Sequence, residues 1–293
     1  MKNPSPFLKI TKITALVALL AATNACTKQM HELNTSDSST PHDSIAVTTH
    51  VGGDTLMWIN YESGTLNSGI PDLNTTNATA TDASYIVSPG RTGTYAIAHK
   101  VVLGDSAYFS DNHWRSESAT ANIPEGKHQP GDERRYEVSL LLKDWQPFVA
   151  GNSTAGDIIF QGKLGGGGNP AFYLMTKRNA IAFRAPNNDF QTNILADYRP
   201  YINQWMDFRI DVLWSDTTAG YYKVSMRLPG QADYSLIWEV HNFQTWKPDN
   251  PLAVSGYLKW GLYRPDQSVA NGDVITRIIY HDDIRIIQLP LPQ

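Results

Sequence analysis

The sequence predicts an all-β fold, most simply a sandwich of two sheets. Apolar and polar residues alternate along residues 135–142, 208–214 and 221–228, as in strands that turn one face toward a core. Turn-forming pairs such as Pro229-Gly230 separate these runs. The pattern contains no convincing amphipathic helix longer than about three turns. Further candidate strands cover residues 55–62, 93–103 and 274–287, and residues 186–197 are predicted as a loop.

Composition and charge limit the class of ligand. Hydrophobic residues make up 41% of the 293 residues, and all-β sandwiches of about 200–250 residues commonly form one domain. Without the three lysines of the first 12 residues, 21 basic residues face 28 acidic ones, a net charge of −7. That balance argues against a nucleic-acid partner and provides no long-range attraction for an anion. An anionic ligand would therefore need a local cationic cluster.

Residues 1–26 predict a lipoprotein-type signal peptide. A basic start precedes an apolar run at 13–22, which is shorter than the roughly 20 residues that span a bilayer. The single cysteine, Cys26, follows Ala25, where a bacterial lipoprotein signal has its acylated cysteine, although Thr23 stands where such signals usually have Leu. We expect a lipid anchor at Cys26, with ordinary cleavage near Ala25 as the alternative.

The predicted signal peptide sets the expected location and domain boundaries. The protein is expected to be exported, as a periplasmic or outer-membrane lipoprotein or otherwise as a secreted protein, and to meet a membrane only through Cys26. Residues 27–48 are rich in Ser, Thr and Asp and predict a flexible tether. The β-sandwich domain is expected over residues 49–293.

Three strand segments place long polar side chains on one face, because side chains two apart on a strand point together. Each segment alone could be an ordinary strand whose polar face meets water. Together they offer cationic, amide and phenol groups and predict a shared site. The side chains are His113, Arg115 and Glu117 in the first segment, Gln161 and Lys163 in the second, and Tyr257, Lys259 and Tyr263 in the third.

These segments resemble the motifs of the polysaccharide lyase family that includes heparin lyase I and glucuronan lyase, with alginate lyases more distantly similar. Arg115-Ser116-Glu117 resembles the family's Arg-Ser/Thr-Glu, Gln161-Gly162-Lys163 its Gln-x-His, and residues 257–263 its Tyr-x-Lys-x-Gly-x-Tyr. The resemblance covers residues 55–290. It implies a concanavalin-like β-jelly roll that cleaves a uronic-acid-containing anionic polysaccharide by β-elimination, without an organic cofactor.

The resemblance implies a role for each catalytic candidate. Gln161 and Arg115 would neutralise the uronate carboxylate, and Tyr263 would transfer protons. Lys163 stands where the family usually has His. Either a lowered pKa lets Lys163 act as the base, or the site has lost proton transfer and the protein only binds carbohydrate.

Further residues are assigned to substrate binding. Tyr257, Lys259 and Arg264 are expected to contact the polymer, and the cations Lys163, Lys259 and Arg264 to lower the pKa of Tyr263. His113 is also assigned to substrate binding and is a third candidate base, with a surface histidine of no role as the alternative.

A structural calcium ion is the one cofactor expected. Glu62 near the first strand and Asp283 near the last are predicted to share it, since a hard cation prefers oxygen ligands. The alternative is that Asp282 and Asp283 face solvent or pair with Arg277 or Arg285. A third class of function, a retaining glycoside hydrolase, is not favoured, because no Glu-x-Asp-x-x-Glu run supplies its two carboxylates.

Overall fold

The computed structural model describes residues 53–153 and 155–290. The predicted signal peptide, Cys26 and the tether lie outside these residues and stay predictions. The described part of the chain forms five short 3₁₀ turns and the following strands: β1 Asp54–Ile59, β2 Ser84–Val87, β3 Ala96–Val102, β4 Phe109–Ser110, β5 His113–Ala119, β6 Lys127–His128, β7 Glu133–Lys143, β8 Asp157–Leu164, β9 Pro170–Lys177, β10 Ala180–Ala185, β11 Phe190–Leu195, β12 Trp205–Leu213, β13 Gly220–Arg227, β14 Ser235–Phe243, β15 Gly256–Arg264 and β16 Thr276–Gln288.

The strands form two eight-stranded antiparallel sheets, which confirms the predicted all-β sandwich. The back sheet has the order β14-β13-β12-β7-β16-β3-β2, with β1 paired to β16. The front sheet has the order β11-β10-β9-β8-β15-β5-β4, with β6 paired to β15. Strands distant in sequence are neighbours in both sheets, so long-range pairing positions every residue discussed below.

The core lies between the sheets, because every second side chain along the strands points toward the opposite sheet. On β12, Phe208 and Ile210 are fully buried, while Arg209 and Asp211, which alternate with them, point away from the core. On β15, Leu258, Trp260 and Leu262 are buried in the same way. The opposite faces of both sheets are therefore free to carry polar groups. No helix of the described residues is long and apolar enough to cross a membrane.

Two sequence predictions change in the structure. The first strand ends at Ile59 and not at Glu62, because Tyr61 has a φ of 56°, outside the extended region. Residues 190–195, predicted as a loop, form strand β11. Phe190 stacks on Trp238 with ring centroids 4.9 Å apart, and Ile194 is buried in the core. These two contacts anchor a strand whose remaining residues are largely polar.

Candidate active site

A cleft of about 740 Å³ lies on the outer face of the front sheet and collects the three polar segments. Its lining includes all the predicted catalytic residues and all but one of the predicted substrate contacts. The lining members of that set are His113, Arg115, Gln161, Lys163, Tyr257, Lys259 and Tyr263. Three strands that are far apart in the chain thus direct these side chains into one cleft.

Strand register sets which of these side chains are neighbours. Arg115 on β5 lies directly opposite Tyr263 on β15. On the other side of β15, Gln161 of β8 lies opposite Lys259, and Lys163 lies opposite Tyr257. Directly opposed residues of antiparallel strands have Cβ atoms about 4.5–5.5 Å apart. The central strand β15 thus brings the cation of β5 and the amide and amine of β8 to one surface.

Glu117 joins the two sides of the cleft. Its carboxylate accepts a hydrogen bond from Gln161 Nε2 at 2.5 Å and another from Lys259 Nζ. The Glu117 and Lys259 side chains are only 2% and 10% exposed, so this ion pair is shielded from water. A charge-assisted bond of this kind fixes the orientation of the Gln161 amide. Glu117 therefore positions two cleft residues that come from different strands.

Gly261 permits the close approach of β5 and β15 at the centre of the cleft. Its φ of 141° is disfavoured for residues with a side chain, and a Cβ there would lie 2.3 Å from the carbonyl oxygen of Ser116. The register of β15 with β8 also shifts between Trp260 and Tyr263. The glycine of the Tyr-x-Lys-x-Gly-x-Tyr pattern is thus required by the backbone beside Glu117.

Arg115 is held from one side. Its Nε donates to Ser110 Oγ at 2.9 Å and its Nη2 to Asp111 Oδ2 at 3.0 Å. Its Cζ lies 5.9 Å from the centroid of the Tyr263 ring, and the His113 ring centroid lies 5.2 Å from the same ring. Among the described residues, Arg115 Nη1 has no hydrogen-bond partner, so this N–H group can meet a substrate oxygen.

The glycine-rich loop 165–168 forms one rim of the cleft. Lys163 Nζ donates to the carbonyl oxygen of Gly168, and Gly167 and Gly168 line the cavity. The next residue, Asn169, donates its backbone N–H to Asp249 Oδ2 at 2.5 Å. The loop thereby links the Lys163 amine to the segment that precedes β15.

The pKa of Tyr263 differs from the sequence-based expectation. Burial raises the pKa of Tyr263 to about 12, Glu117 adds to the rise, and Arg115 opposes it. The predicted lowering by nearby cations is wrong, because burial and the Glu117 carboxylate outweigh Arg115, and Arg264 points to the other face of the sheet. Tyr263 is therefore protonated at neutral pH and is a proton donor in its resting state.

The pKa of Lys163 is shifted in the direction that a base requires. Burial is the largest cause and lowers the pKa of Lys163, and the nearby cations Lys259 and Arg115 lower it further. The anions Asp249 and Glu117 oppose this shift. A lower pKa increases the fraction of neutral amine, the form that can accept a proton.

Arg264 does not line the cleft, and its assignment to substrate binding is corrected. It follows Tyr263 on the strand and points to the other face, where it is fully buried. Its Nε donates to Asp157 Oδ1 at 2.8 Å and to Gln267 Oε1 at 2.9 Å. Its Nη2 donates to the carbonyl oxygen of Val274 at 2.7 Å. Arg264 thus holds the chain after β15 against β8.

Glu62 and Asp283, the two predicted calcium ligands, both contact residues 92–95, and the shared calcium site stays a prediction. Glu62 accepts backbone N–H groups of Thr94 and Tyr95 at 2.9–3.0 Å. Asp283 accepts from Trp58 Nε1 at 3.2 Å and Thr92 Oγ1 at 2.7 Å. In the described residues no group of three or more His, Cys, Asp or Glu has an arrangement that could hold a metal ion.

The sequence reasoning missed two cleft residues on the neighbouring strands. Tyr173 of β9 and Arg184 of β10 line the cavity, with Arg184 Cζ 5.9 Å from the Tyr173 ring centroid. Tyr173 stands in an almost wholly buried strand, so alternation could not reveal its direction. A lone arginine within the apolar run Ala180–Ala185 was the available signal for Arg184.

Comparison with known proteins identifies the family of this chain. A sequence model of the family described as "Polysaccharide lyase" matches residues 57–285. The chain belongs to the polysaccharide lyase family. No curated protein sequence is similar enough to this chain to count as a match.

Two solved structures show that the fold is that of jelly-roll lyases. An endo-β-1,4-glucuronan lyase from the fungus Trichoderma reesei is 16% identical, with a TM-score of 0.56 over 80% of this chain and 96% of that chain. The PL-14 alginate lyase from Aplysia kurodai is 11% identical, with a TM-score of 0.53 over 80% of this chain and 99% of that chain. The predicted jelly-roll class is confirmed.

Proposed function

We propose that the protein cleaves a uronic-acid-containing polysaccharide by β-elimination. The observation that carries this proposal is the single cleft in which Arg115, Gln161, Lys163 and Tyr263 meet. Membership of the polysaccharide lyase family supports a lyase of this kind. The two structural neighbours are a glucuronan lyase and an alginate lyase, so glucuronan and alginate are the polymers to test first.

The amide and guanidinium groups suit the first requirement of the reaction, which is to neutralise the uronate carboxylate. Gln161 Nε2 is oriented by Glu117, and Arg115 is braced by Ser110 and Asp111. Hydrogen bonds to the carboxylate let negative charge move onto its oxygens as the C5 proton leaves. Because both groups are held before substrate arrives, little reorganisation is needed in the transition state.

Proton transfer is divided between Lys163 and Tyr263. Neutral Lys163 takes the C5 proton, and the electron pair of that C–H bond forms the C4–C5 double bond. The bond from C4 to the glycosidic oxygen breaks, and protonated Tyr263 donates to the departing oxygen. The opposite shifts of the two pKa values, lowered for Lys163 and raised for Tyr263, suit a base and an acid.

The alternative is a non-catalytic carbohydrate-binding protein on the same fold. The observation in its favour is Lys163 itself, which stands where the family usually has His. Its Nζ donates to the carbonyl oxygen of Gly168. A permanently protonated Lys163 would bind a carboxylate without accepting the C5 proton.

One assay separates these two functions. The purified domain is mixed with glucuronan, alginate and heparin, and the ultraviolet absorbance of the unsaturated product is followed. We expect absorbance to rise with at least one polymer and Tyr263→Phe to lower kcat by about 10²–10⁴-fold, the usual range for a lost proton-transfer group. Tyr95→Phe, at a residue 36% exposed and outside the cleft, is the matched control. Polymer binding without any absorbance change would favour the binding protein.

A further inference from the structure

A second groove lies on the outer face of the back sheet and combines arginine, carboxylate and tyrosine side chains. This back groove has a volume of about 620 Å³, within the range of about 300–1,000 Å³ typical of ligand pockets. The core lies between it and the cleft, because the two lie on opposite sheets. Its lining includes Thr92, Glu137, Arg209, Arg227, Tyr234 and Arg285.

Buried carboxylates fix the arginines of the back groove. Asp207, 1% exposed, accepts from Arg91 Nη2 at 2.9 Å and from Arg227 Nε at 2.8 Å. Glu137 accepts from Arg209 Nη2 at 2.7 Å and Nε at 2.9 Å. Asp207 and Glu137 therefore hold these guanidinium groups in fixed positions.

The same guanidinium groups retain capacity for a ligand. In the described residues, neither Nη atom of Arg227 has a hydrogen-bond partner. Arg285 makes only long contacts there, 3.6 Å from Nη1 to Glu137 and 3.9 Å from Nη2 to Asp283. The side chains of Arg227 and Arg285 are 31% and 38% exposed. Each can thus direct N–H groups toward an anion in the groove.

Two aromatic rings lie against these arginines. Arg209 Cζ and Arg227 Cζ are 4.0 and 4.9 Å from the centroid of the Tyr234 ring. Arg285 Cζ is 4.6 Å from the Trp58 ring centroid, and Trp58 is 49% exposed. Stacking holds the guanidinium planes in place and leaves amphipathic rings beside them.

We propose that the back groove is a second binding site for an anionic polysaccharide. Rigid guanidinium forks match carboxylate or sulfate groups, and Tyr and Trp rings pack against the apolar face of a sugar. Thr92 and Ser139 also line the groove, and their hydroxyl groups donate to Asp283 and Asp207. The ligand class rests on the proposed function, since the same polymer would occupy the cleft and the groove.

A binding site on the opposite sheet can assist cleavage only of long polymers. A tetrasaccharide in the cleft does not reach the opposite sheet, whereas a polymer network can occupy both sites at once. Binding at the groove raises the effective concentration of polymer near the cleft. We therefore expect groove variants to raise KM for the polymer and to leave kcat and the turnover of tetrasaccharides unchanged.

Binding is measured by calorimetry with glucuronan and alginate tetrasaccharides in the Tyr263→Phe background, and neutral cellotetraose serves as the uncharged probe. We expect two sites for a uronate tetrasaccharide. Arg285→Gln should weaken one site about tenfold, the scale of one hydrogen bond to a charged group. Tyr234→Ala should weaken the same site. Arg199→Gln, at an exposed arginine paired with Asp197 outside both cavities, is the matched control.

The outcomes separate this inference from the proposed function. A single site that Arg285→Gln and Tyr234→Ala leave unchanged would overturn the groove proposal, whatever the elimination assay shows. Two sites in a protein that gives no unsaturated product would retain the groove proposal and contradict the proposed reaction. Equal binding of cellotetraose at the groove would contradict the assignment of an anionic ligand.

Discussion

Lys163 is the residue at which this chain departs from its family's motif, and substituting it tests the reaction directly. An unperturbed lysine of pKa about 10.4 is neutral in only about 4 molecules in 10,000 at pH 7, while a histidine of pKa about 6.5 is neutral in about 8 of 10. Burial and the neighbouring cations lower the pKa of Lys163. Each unit by which the pKa falls increases the fraction of neutral lysine about tenfold. In Lys163→His the side chain at position 163 should therefore become neutral, and able to accept a proton, at lower pH than in the parent.

The assay is kcat/KM for the unsaturated product between pH 5 and 10, which reports the ionisations of the free enzyme. In the parent, activity should rise with pH as Lys163 loses its proton, well below the value of about 12 at which Tyr263 ionises. In Lys163→His the rising limb of the pH profile should move to lower pH.

Lys163→Arg is the matched control, because arginine keeps the positive charge and cannot be deprotonated. We expect it to retain polymer binding and to lose kcat by about a hundredfold or more, the scale of a lost general base. Near-parent activity of Lys163→Arg, or an unchanged pH profile in Lys163→His, would refute the assignment of Lys163 as the base.

Two further predictions concern stability. Arg264→Met removes one partner of a fully buried ion pair and leaves the Asp157 charge uncompensated, so the free energy of unfolding should fall by about 3–5 kcal/mol in denaturant titrations, with kcat of the folded protein unchanged. A loss below about 1 kcal/mol would contradict this role of Arg264. Burial also lowers the pKa values of His128 and His281 to about 3, so below pH of about 6.5 the unfolded chain binds protons that the native state does not. Between about pH 6.5 and 3 the free energy of unfolding should therefore fall by about 1.4 kcal/mol per pH unit for each histidine. His128→Phe should reduce this slope by about 1.4 kcal/mol per pH unit. An equal slope in parent and variant would show that His128 is protonated in the native state.

Much of the candidate site could be predicted from strand periodicity. Arg115 stands between His113 and Glu117 at a spacing of two residues, and Gln161 and Lys163 are also two apart. The structure places Arg115, Gln161 and Lys163 in one cleft with Tyr263. The same rule, applied strictly, puts Arg264 on the opposite face from Tyr263. Its assignment to the cleft failed because charge was weighted above alternation.

Other features depend on contacts that periodicity does not describe. The acidic residue Glu62 suggested a metal ligand, but the turn that brings Thr94 and Tyr95 to its carboxylate makes it an acceptor of backbone N–H groups. The pKa of Tyr263 could not be predicted because it depends on burial and on the neighbouring charges of Glu117 and Arg115. Both features depend on the partners of each charged group, which the sequence does not show.

The sequence by itself determined the all-β class, the faces of the strands and the side chains available for chemistry, because alternation is a local property of extended chain. Only the tertiary structure decided that Glu117 bridges Gln161 and Lys259, and that buried Asp207 and Glu137 mount arginines on the opposite sheet. These arrangements join strands remote in sequence. Their energies depend on burial and on neighbouring charges, which exist only once the two sheets have packed together.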